Sequence, residues 1–303
     1  MAHDHDHENT HRHGHGNTPR HAHDHMDFAD MVPMLEQEAE LFSPLYIEAA
    51  AWLREQRPET GLIVDAGSGP GVISCLLADA FPAARVVAVD GVESLLERAR
   101  ARAGRLGVGD RFSTVRADLA DGLGEVEYPA DLLWASRSLH HVGDQGAALA
   151  GFARALAPGG TLALLEGGLP PRYLPRDIGM GRPGLQSRID VVHDEFFSRM
   201  RAELPGAVAE TEDWPALLTA AGLRHTATRT FLVDLPAPLS DEARAFVVTA
   251  LTRLRDALGE GLDPDDLATL DRLLDPQDKA GVHHRPDVFL LTAHTVHVAV
   301  KPE

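Results

Sequence analysis

Short apolar runs alternate with amphipathic stretches through most of the chain. From Asp27 to Gln56, Met31, Met34, Leu35, Leu41, Leu45, Tyr46, Ala49 and Leu53 recur near helical spacing. Pro33 and Pro44 mark helix starts or breaks, so two short helices are predicted ahead of the main fold. The run Gly61 to Gly67 is nearly continuous in apolar residues, as a strand covered on both faces would be. Val72, Ile73, Leu76, Leu77 and Ala80 then form a helix face that ends at Pro82. A second buried strand closes at Asp90, followed by a helix carrying Leu95, Leu96 and Ala99. A third strand starts at Phe112, a fourth ends at Ser136, and a helical stripe of Leu149, Phe152 and Leu156 stops at Pro158-Gly159-Gly160. The fifth strand starts at Thr161.

Strand and helix alternating at this interval predict a parallel sheet with helices on both faces. Residues Gly167 to Asp213 then form an insertion too long for a plain connection, with a helix expected from Glu195 to Leu204. A helix from Trp214 to Ala221 is framed by Asp213 as N-cap and Gly222 as its end. Strand six starts at His225. Two amphipathic helices fill Ser240 to Leu274, broken at Gly259–Pro264, and Val288 opens a final long strand or hairpin. The expected fold is α/β: a Rossmann-like, seven-stranded, mostly parallel sheet with helices on both faces and helical lid insertions. Residues 1–26 are read as a tail, 27–57 as a helical lid, and 58–303 as the main domain, with insertions at about 167–213 and 236–286.

Composition narrows the function. The 303 residues carry 28 basic and 46 acidic side chains, a formal charge of −18, with 44% hydrophobic residues, enough for a sizeable core. Such a balance argues against broad binding to nucleic acid or anionic membranes, which needs clustered Lys and Arg. Nine of the seventeen histidines fall in the first 25 residues, among Asp, Glu, Gly and Asn. That segment has little to bury, so a disordered tail is expected, with weak metal binding as its one chemical option. A single cysteine, Cys75, permits no internal disulfide, and no apolar run approaches the roughly 18–20 residues of a membrane helix. A cytoplasmic protein follows as the expectation, with a homodimer left open.

The chemistry concentrates at Asp65-Ala66-Gly67-Ser68-Gly69-Pro70-Gly71, at the end of the first strand. Glycines there let the backbone turn sharply and approach a ligand, which in open α/β sheets lies beyond the carboxyl ends of the strands. A dinucleotide fingerprint would need a glycine where Val72 stands, and no Gly-Lys-Ser/Thr of a Walker loop follows. An acid two places before the first glycine suits a cation better than a pyrophosphate.

In these features the chain resembles the class I S-adenosylmethionine-dependent methyltransferases, of the actinobacterial small-molecule type. Acid-x-Gly-x-Gly-x-Gly matches their first motif. Asp90 ends strand two, where the family places an acid on the ribose hydroxyls, and Asp118 after strand three matches the acid near the adenine amino group. Ser136-Arg137-Ser138-Leu139-His140-His141 resembles the Leu-His-His variant of the fourth motif, with Asp144 capping the next helix, and Ala157-Pro158-Gly159-Gly160 resembles the turn into strand five. The resemblance implies S-adenosyl-L-methionine as co-substrate, held by Asp65, Gly67, Ser68, Gly69, Gly71, Asp90, Gly91, Asp118, Leu119 and Ser136, with no active-site metal. Singly, Asp90 or Asp118 is equally a helix cap or surface charge; the ordered set carries the reading.

Methyl transfer from a sulfonium is an in-line displacement, so the protein supplies alignment, water exclusion and, for a protonated acceptor, a base. His140, His141 and Glu166 are the catalytic candidates, with backbone hydrogen bonding as the alternative role for the histidines. No Asn/Asp-Pro-Pro-Tyr/Phe follows strand four, which lowers nucleobase and glutamine nitrogens as acceptors. A small molecule methylated on oxygen or nitrogen is expected, with a role in secondary metabolism. Tyr46, Arg176 and Arg182 are the acceptor-binding candidates, the arginines as a clamp for an anion, against the plainer reading of surface arginines paired to acids. Cys75 is read as packing. The competing function is a non-catalytic module that binds S-adenosylmethionine or S-adenosylhomocysteine, or a metal-responsive regulator.

Overall fold

A computed structural model describes residues 28–126 and 129–303. The expected histidine-rich tail and its metal binding therefore lie outside the described residues. Seven strands form one sheet: β1 (Leu62–Ala66), β2 (Arg85–Asp90), β3 (Phe112–Arg116), β4 (Ala130–Ser136), β5 (Leu156–Arg172), β6 (Arg224–Leu235) and β7 (Leu290–Val300). Their order is β3-β2-β1-β4-β5-β7-β6. Neighbours from β3 to β5 run parallel, and β7 pairs antiparallel with both β5 and β6. This is the expected mostly parallel Rossmann-like sheet. The last strand is one continuous strand, not a hairpin.

Side chains of successive strand residues point to opposite faces, and two cores result. Ile63, Leu132 and Trp134 enter one core, while Leu62, Val64, Leu133 and Ala135 enter the other. All five residues of β1 are buried, which explains why its sequence is an unbroken apolar run up to Asp65. The first core is covered by α2 (Ser43–Gln56) and α3 (Val72–Ala80), and the second by α5 (Gln145–Ala155) and α7 (Trp214–Ala220). Asp144 and Asp213 cap α5 and α7 through Ala147 N (2.8 Å) and Ala216 N (3.1 Å). Beyond α7, Gly222 takes a φ of +85°, the left-handed turn expected after a helix end. Helix α4 (Glu93–Arg105) packs on β2 and β3.

The remaining helices gather toward the site. Strand β5 runs 17 residues, five before the expected start and well beyond the end of β4. Arg172 at its far end pairs with Leu291 of β7, and Leu235, the last residue of β6, pairs with Leu290. The insertions that leave from Arg172 and Leu235 thus start at the carboxyl ends of the parallel strands. They contain α6 (Leu185–Glu203), α8 (Asp241–Leu258) and α9 (Pro264–Leu274); α8 packs against α6, α9 and α1 (Phe28–Leu41). Helix α6 begins ten residues before the expected Glu195. Its buried face is only Leu185, Gln186 and Ile189, an apolar stripe too sparse among charges to register as periodicity. Helix α2 lies against α3 and β6.

Candidate active site

The loop after β1 is fixed by main chain. Gly67 N and Ser68 N both donate to Val89 O of β2, at 2.8 and 2.9 Å. Gly67, Gly69 and Gly71 all have positive φ, +79°, +54° and +76°. A Cβ on Gly67 would stand 2.4 Å from Cβ of Ser138, and one on Gly71 2.4 Å from Cβ of Ala99 in α4. A Cβ on Gly69 would meet nothing within 4 Å, so this turn of the loop faces open space. Two glycines thus serve close packing and the middle one leaves room.

The acids divide in the same way. Asp90 Oδ2 accepts from Gly69 N and Oδ1 from Val92 N, both at 2.9 Å, and burial pushes its pKa up. A carboxylate has about four acceptor sites, so capacity remains on both oxygens. Asp118 is exposed; its Oδ1 accepts from Ala120 N at 2.9 Å. Ala117 N donates to Asp90 O, and Cα of Asp118 would lie 4.0 Å from a Cβ on Gly91. Leu119 reaches to 3.4 Å from the Cβ position of Gly67. The loops after β1, β2 and β3 therefore touch. Asp65 is turned inward: it is 1% exposed and accepts a hydrogen bond from Ser74 in α3, and burial pushes it up to about 7. Its role is closer to anchoring the loop to α3 than to facing a ligand.

Across the β1–β4 crevice, where the strand order reverses, a second cluster is built on Glu166 at the end of the buried part of β5. Leu139 N donates to Glu166 Oε1 at 2.9 Å, and His140 Nδ1 lies 3.2 Å from Glu166 Oε2. Both carboxylate oxygens of a residue only 5% exposed are thus spent on the Leu139-His140 turn. An Nδ1–H donated to Glu166 leaves His140 Nε2 as the free lone pair. Ser138 Oγ donates to Ala66 O, Gln145 Nε2 to Leu139 O, and Arg201 Nη1 of α6 to His140 O (3.0 Å) and Val142 O (2.6 Å). The His141 ring lies 4.1 Å from that of His140; desolvation, then the neighbouring His140, pulls its pKa down to about 4. Cys75 is buried with its pKa pushed up to about 11, so its thiol packs and stays protonated. A cavity of about 280 Å³ lined by Leu53, Arg57, Gly159 and Val300 sits at the opposite ends of the strands, away from all these groups.

Comparison with known proteins accounts for this geometry. Residues 63–160 match a family model described as a methyltransferase domain. A trans-aconitate 2-methyltransferase of Streptomyces coelicolor is 34% identical over 177 residues, covering 57% of this chain and 54% of that one. Another, of Methylobacterium radiotolerans, is 31% identical over 209 residues, covering 64% of this chain and 77% of that one. The chain belongs to the class I S-adenosylmethionine-dependent methyltransferases. It spans about half the length of the Streptomyces coelicolor relative, and 39% of a trans-aconitate 2-methyltransferase of Variovorax paradoxus. Among solved structures, the complex between the Haloferax volcanii Trm112 methyltransferase activator and a methyltransferase matches with a TM-score of 0.51 at 18% identity, covering 91% of this chain and 98% of that one. That likeness is one of fold.

The residues present suit the family's methyl donor. Ser68 Oγ is buried in the glycine loop with no hydrogen-bond partner, beside the open space over Gly69. Asp90, with acceptor capacity left, and the exposed Asp118 stand on the adjoining loops. Among the described residues no group of three His, Cys, Asp or Glu side chains is arranged to hold a metal ion, and no helix is long and apolar enough to cross a membrane.

The expected arginine clamp is not assembled as one unit. Arg182 pairs with Asp266 (3.0 Å) and Asp263 (3.4 Å) of the α9 region, and Arg188 holds Asp266 as well. Arg172 pairs with Asp190. Arg176 is exposed, its carbonyl accepting from Gly184 N. Tyr46 is buried instead at the end of β4: burial pushes its hydroxyl up to about 12, with Arg137 the next influence. Sequence reasoning missed Arg137, Glu38, Tyr173 and His294. For Arg137 the signal was present, a charged residue inside the fourth motif, but that motif was read for Ser136, His140 and His141 and not for its arginine.

Proposed function

We propose that the protein transfers a methyl group from S-adenosylmethionine to an oxygen or nitrogen of a small molecule bound at the β4–β5 rim, with His140 as the base and Glu166 as its positioning residue. The observation that carries this is the double use of Glu166, which fixes the Leu139-His140 turn through one oxygen and the imidazole through the other. S-adenosylmethionine supplies an activated methyl group on a sulfonium leaving group. The chain's own part is to align and to exclude water. The glycine loop and Asp90 fix one side, while α6, tied to the carbonyls of His140 and Val142 by Arg201, covers the other. His140 Nε2 takes the proton of an acceptor hydroxyl as attack proceeds, or that of an ammonium before attack so that the nitrogen lone pair is free, and Glu166 stabilises the imidazolium that forms. His141, held neutral, shapes the rim.

The test is methyl transfer followed by S-adenosylhomocysteine release, alongside calorimetry with S-adenosylmethionine and S-adenosylhomocysteine. His140→Ala is expected to lower kcat about 10²–10⁴-fold with cofactor affinity unchanged, and Glu166→Gln by a smaller factor. Tight binding of both cofactor forms, with no turnover across hydroxyl, amine and carboxylate acceptors, would favour a non-catalytic binding module. A second reading is favoured by the relatives, whose name, trans-aconitate 2-methyltransferase, denotes a carboxylic acid acceptor. A carboxylate oxygen is already ionised near neutral pH and needs no base. His140→Ala would then leave kcat within a few-fold, which separates the two readings.

A further inference from the structure

Arg137 is the one non-glycine residue with a positive φ, +50°, among the described residues. An L-residue there costs roughly 1–2 kcal/mol and persists only where its surroundings demand it. It stands at the end of β4, between Ser136 and Ser138, its N–H donating to Leu165 O at 2.9 Å. Its guanidinium is held by the carboxylate of Glu38 on α1, 99 residues away. Tyr46 of α2 and Tyr173 beyond β5 are close enough for the charges of Arg137 and Glu38 to act on them, and His294 of β7 feels both as well. Glu166 is a further acidic neighbour.

One polar atom beside this pair has no partner. His294 Nδ1 is buried without a hydrogen bond, and His294 is 7% exposed, whereas Ser136 meets the Tyr46 hydroxyl. Buried polar groups are normally satisfied, so an unpartnered one beside a charged fork points to a ligand. Guanidinium offers five donors in a planar fork, more than Glu38 and the Tyr46 hydroxyl use. Burial holds His294 down to about 4, so its ring is neutral and supplies one donor or acceptor. Among the described residues, the carboxylate paired with the fork comes from a separate helix that packs on α8.

We propose that Arg137 anchors a carboxylate of the methyl acceptor, and that Glu38 is an internal stand-in which the acceptor displaces, so that acceptor entry releases α1 from the rim. This rests on the reading that the acceptor binds at the β4–β5 rim. It agrees with a carboxylic acid acceptor and adds the residue that anchors it and a coupling between acceptor and α1. Exchange of one carboxylate for another conserves the ion pair, so the cost of entry is the reordering of α1. Removing Glu38 leaves an unfilled slot opposite a guanidinium.

The test uses acetate as the probe and needs no turnover. In Glu38→Ala, 100 mM acetate is expected to raise Tm by roughly 2–4 °C over chloride at equal ionic strength, as a bound ligand does. The double variant Glu38→Ala with Arg137→Ala is expected to respond equally to the two salts, and the wild type to show a smaller acetate effect than Glu38→Ala. If Glu38→Ala does not fold, Glu38→Gln keeps the volume, and an acetate shift above that of the wild type is expected there too. Folded Glu38 variants with retained S-adenosylhomocysteine binding and no acetate-specific shift overturn the proposal. So does a shift that survives loss of Arg137. Because the measurement requires no methyl transfer, its failure is distinct from failure of the catalytic reading.

Discussion

Along the loops after β1, β2 and β3, nearly every polar contact involves main chain. Val89 O accepts two N–H groups, Asp90 accepts two more, and Asp118 accepts one from its own turn. Around Arg137 the partners are side chains, drawn from positions 38, 46, 173 and 294 on separate elements. The first half is written in short stretches of sequence, because a turn built from glycines and a terminal acid is a local device. The second exists only once the chain has folded. A site for a shared cofactor can be held by backbone, whereas the acceptor site proposed at Arg137 would be set by side chains gathered from afar.

The comparison is broken most directly at Gly67. With φ at +79° and a prospective Cβ 2.4 Å from that of Ser138, alanine must move β4's loop or unwind the turn. Gly67→Ala is expected to lose about 3 kcal/mol or more of stability, from left-handed strain and overpacking together. S-adenosylhomocysteine affinity should fall at least 100-fold, measured by calorimetry beside urea unfolding. Since Ser138 adjoins Arg137, this change also tests whether the two halves are mechanically joined. Next in size is Asp90→Ala, which removes the acceptor for Gly69 N and Val92 N. Unsatisfied donors cost about 1–3 kcal/mol when buried, and loss of the carboxylate that the family resemblance assigns to the ribose should weaken S-adenosylhomocysteine by roughly 100-fold.

This division also explains what could be read beforehand. The succession of strands and helices, the glycine loop, Asp90 and the caps Asp144 and Asp213 follow from neighbours within a few residues. The first half of helix α6 escaped because Leu185 and Ile189 are its only buried hydrophobic side chains. Nothing near Glu38 or His294 in the sequence distinguishes them from other surface-type residues; their meaning comes from β7 lying antiparallel beside β5 and from α1 reaching the rim. Asp65, marked by its motif as a cofactor residue, faces inward to Ser74, because a residue near the end of a fully buried strand inherits its burial.

Asp65 sharpens the picture through pH. Its carboxyl is raised from an unfolded value near 4 to about 7, chiefly by burial. Between those values the folded state binds the extra proton, so this group's contribution to stability falls as pH rises from about 4 to 7 and is level above that. Asp65→Asn cannot ionise and should lose this component. Unfolding of variant and wild type by urea at pH 5 and pH 8 is expected to show the variant gaining relative to wild type at pH 8. An unchanged difference between the two pH values would mean that Asp65 is not the protonated, inward-facing group inferred from its burial.

The smallest expected effect lies at Arg182, and it decides how far the acceptor half extends. Its side chain is 52% exposed, and Arg188 also holds Asp266, through Nε at 2.6 Å and Nη2 at 2.8 Å. Arg182→Ala should therefore cost no more than about 1 kcal/mol, as solvent screening limits exposed ion pairs. It should also leave the KM for an acid acceptor unchanged, where Arg137→Ala raises it. Equal rises in KM for the two variants would mean that Arg182 also meets the acceptor, in place of its pairing with Asp263 and Asp266. The arginines of the long insertion would then belong to the same device as the strained residue at the end of β4.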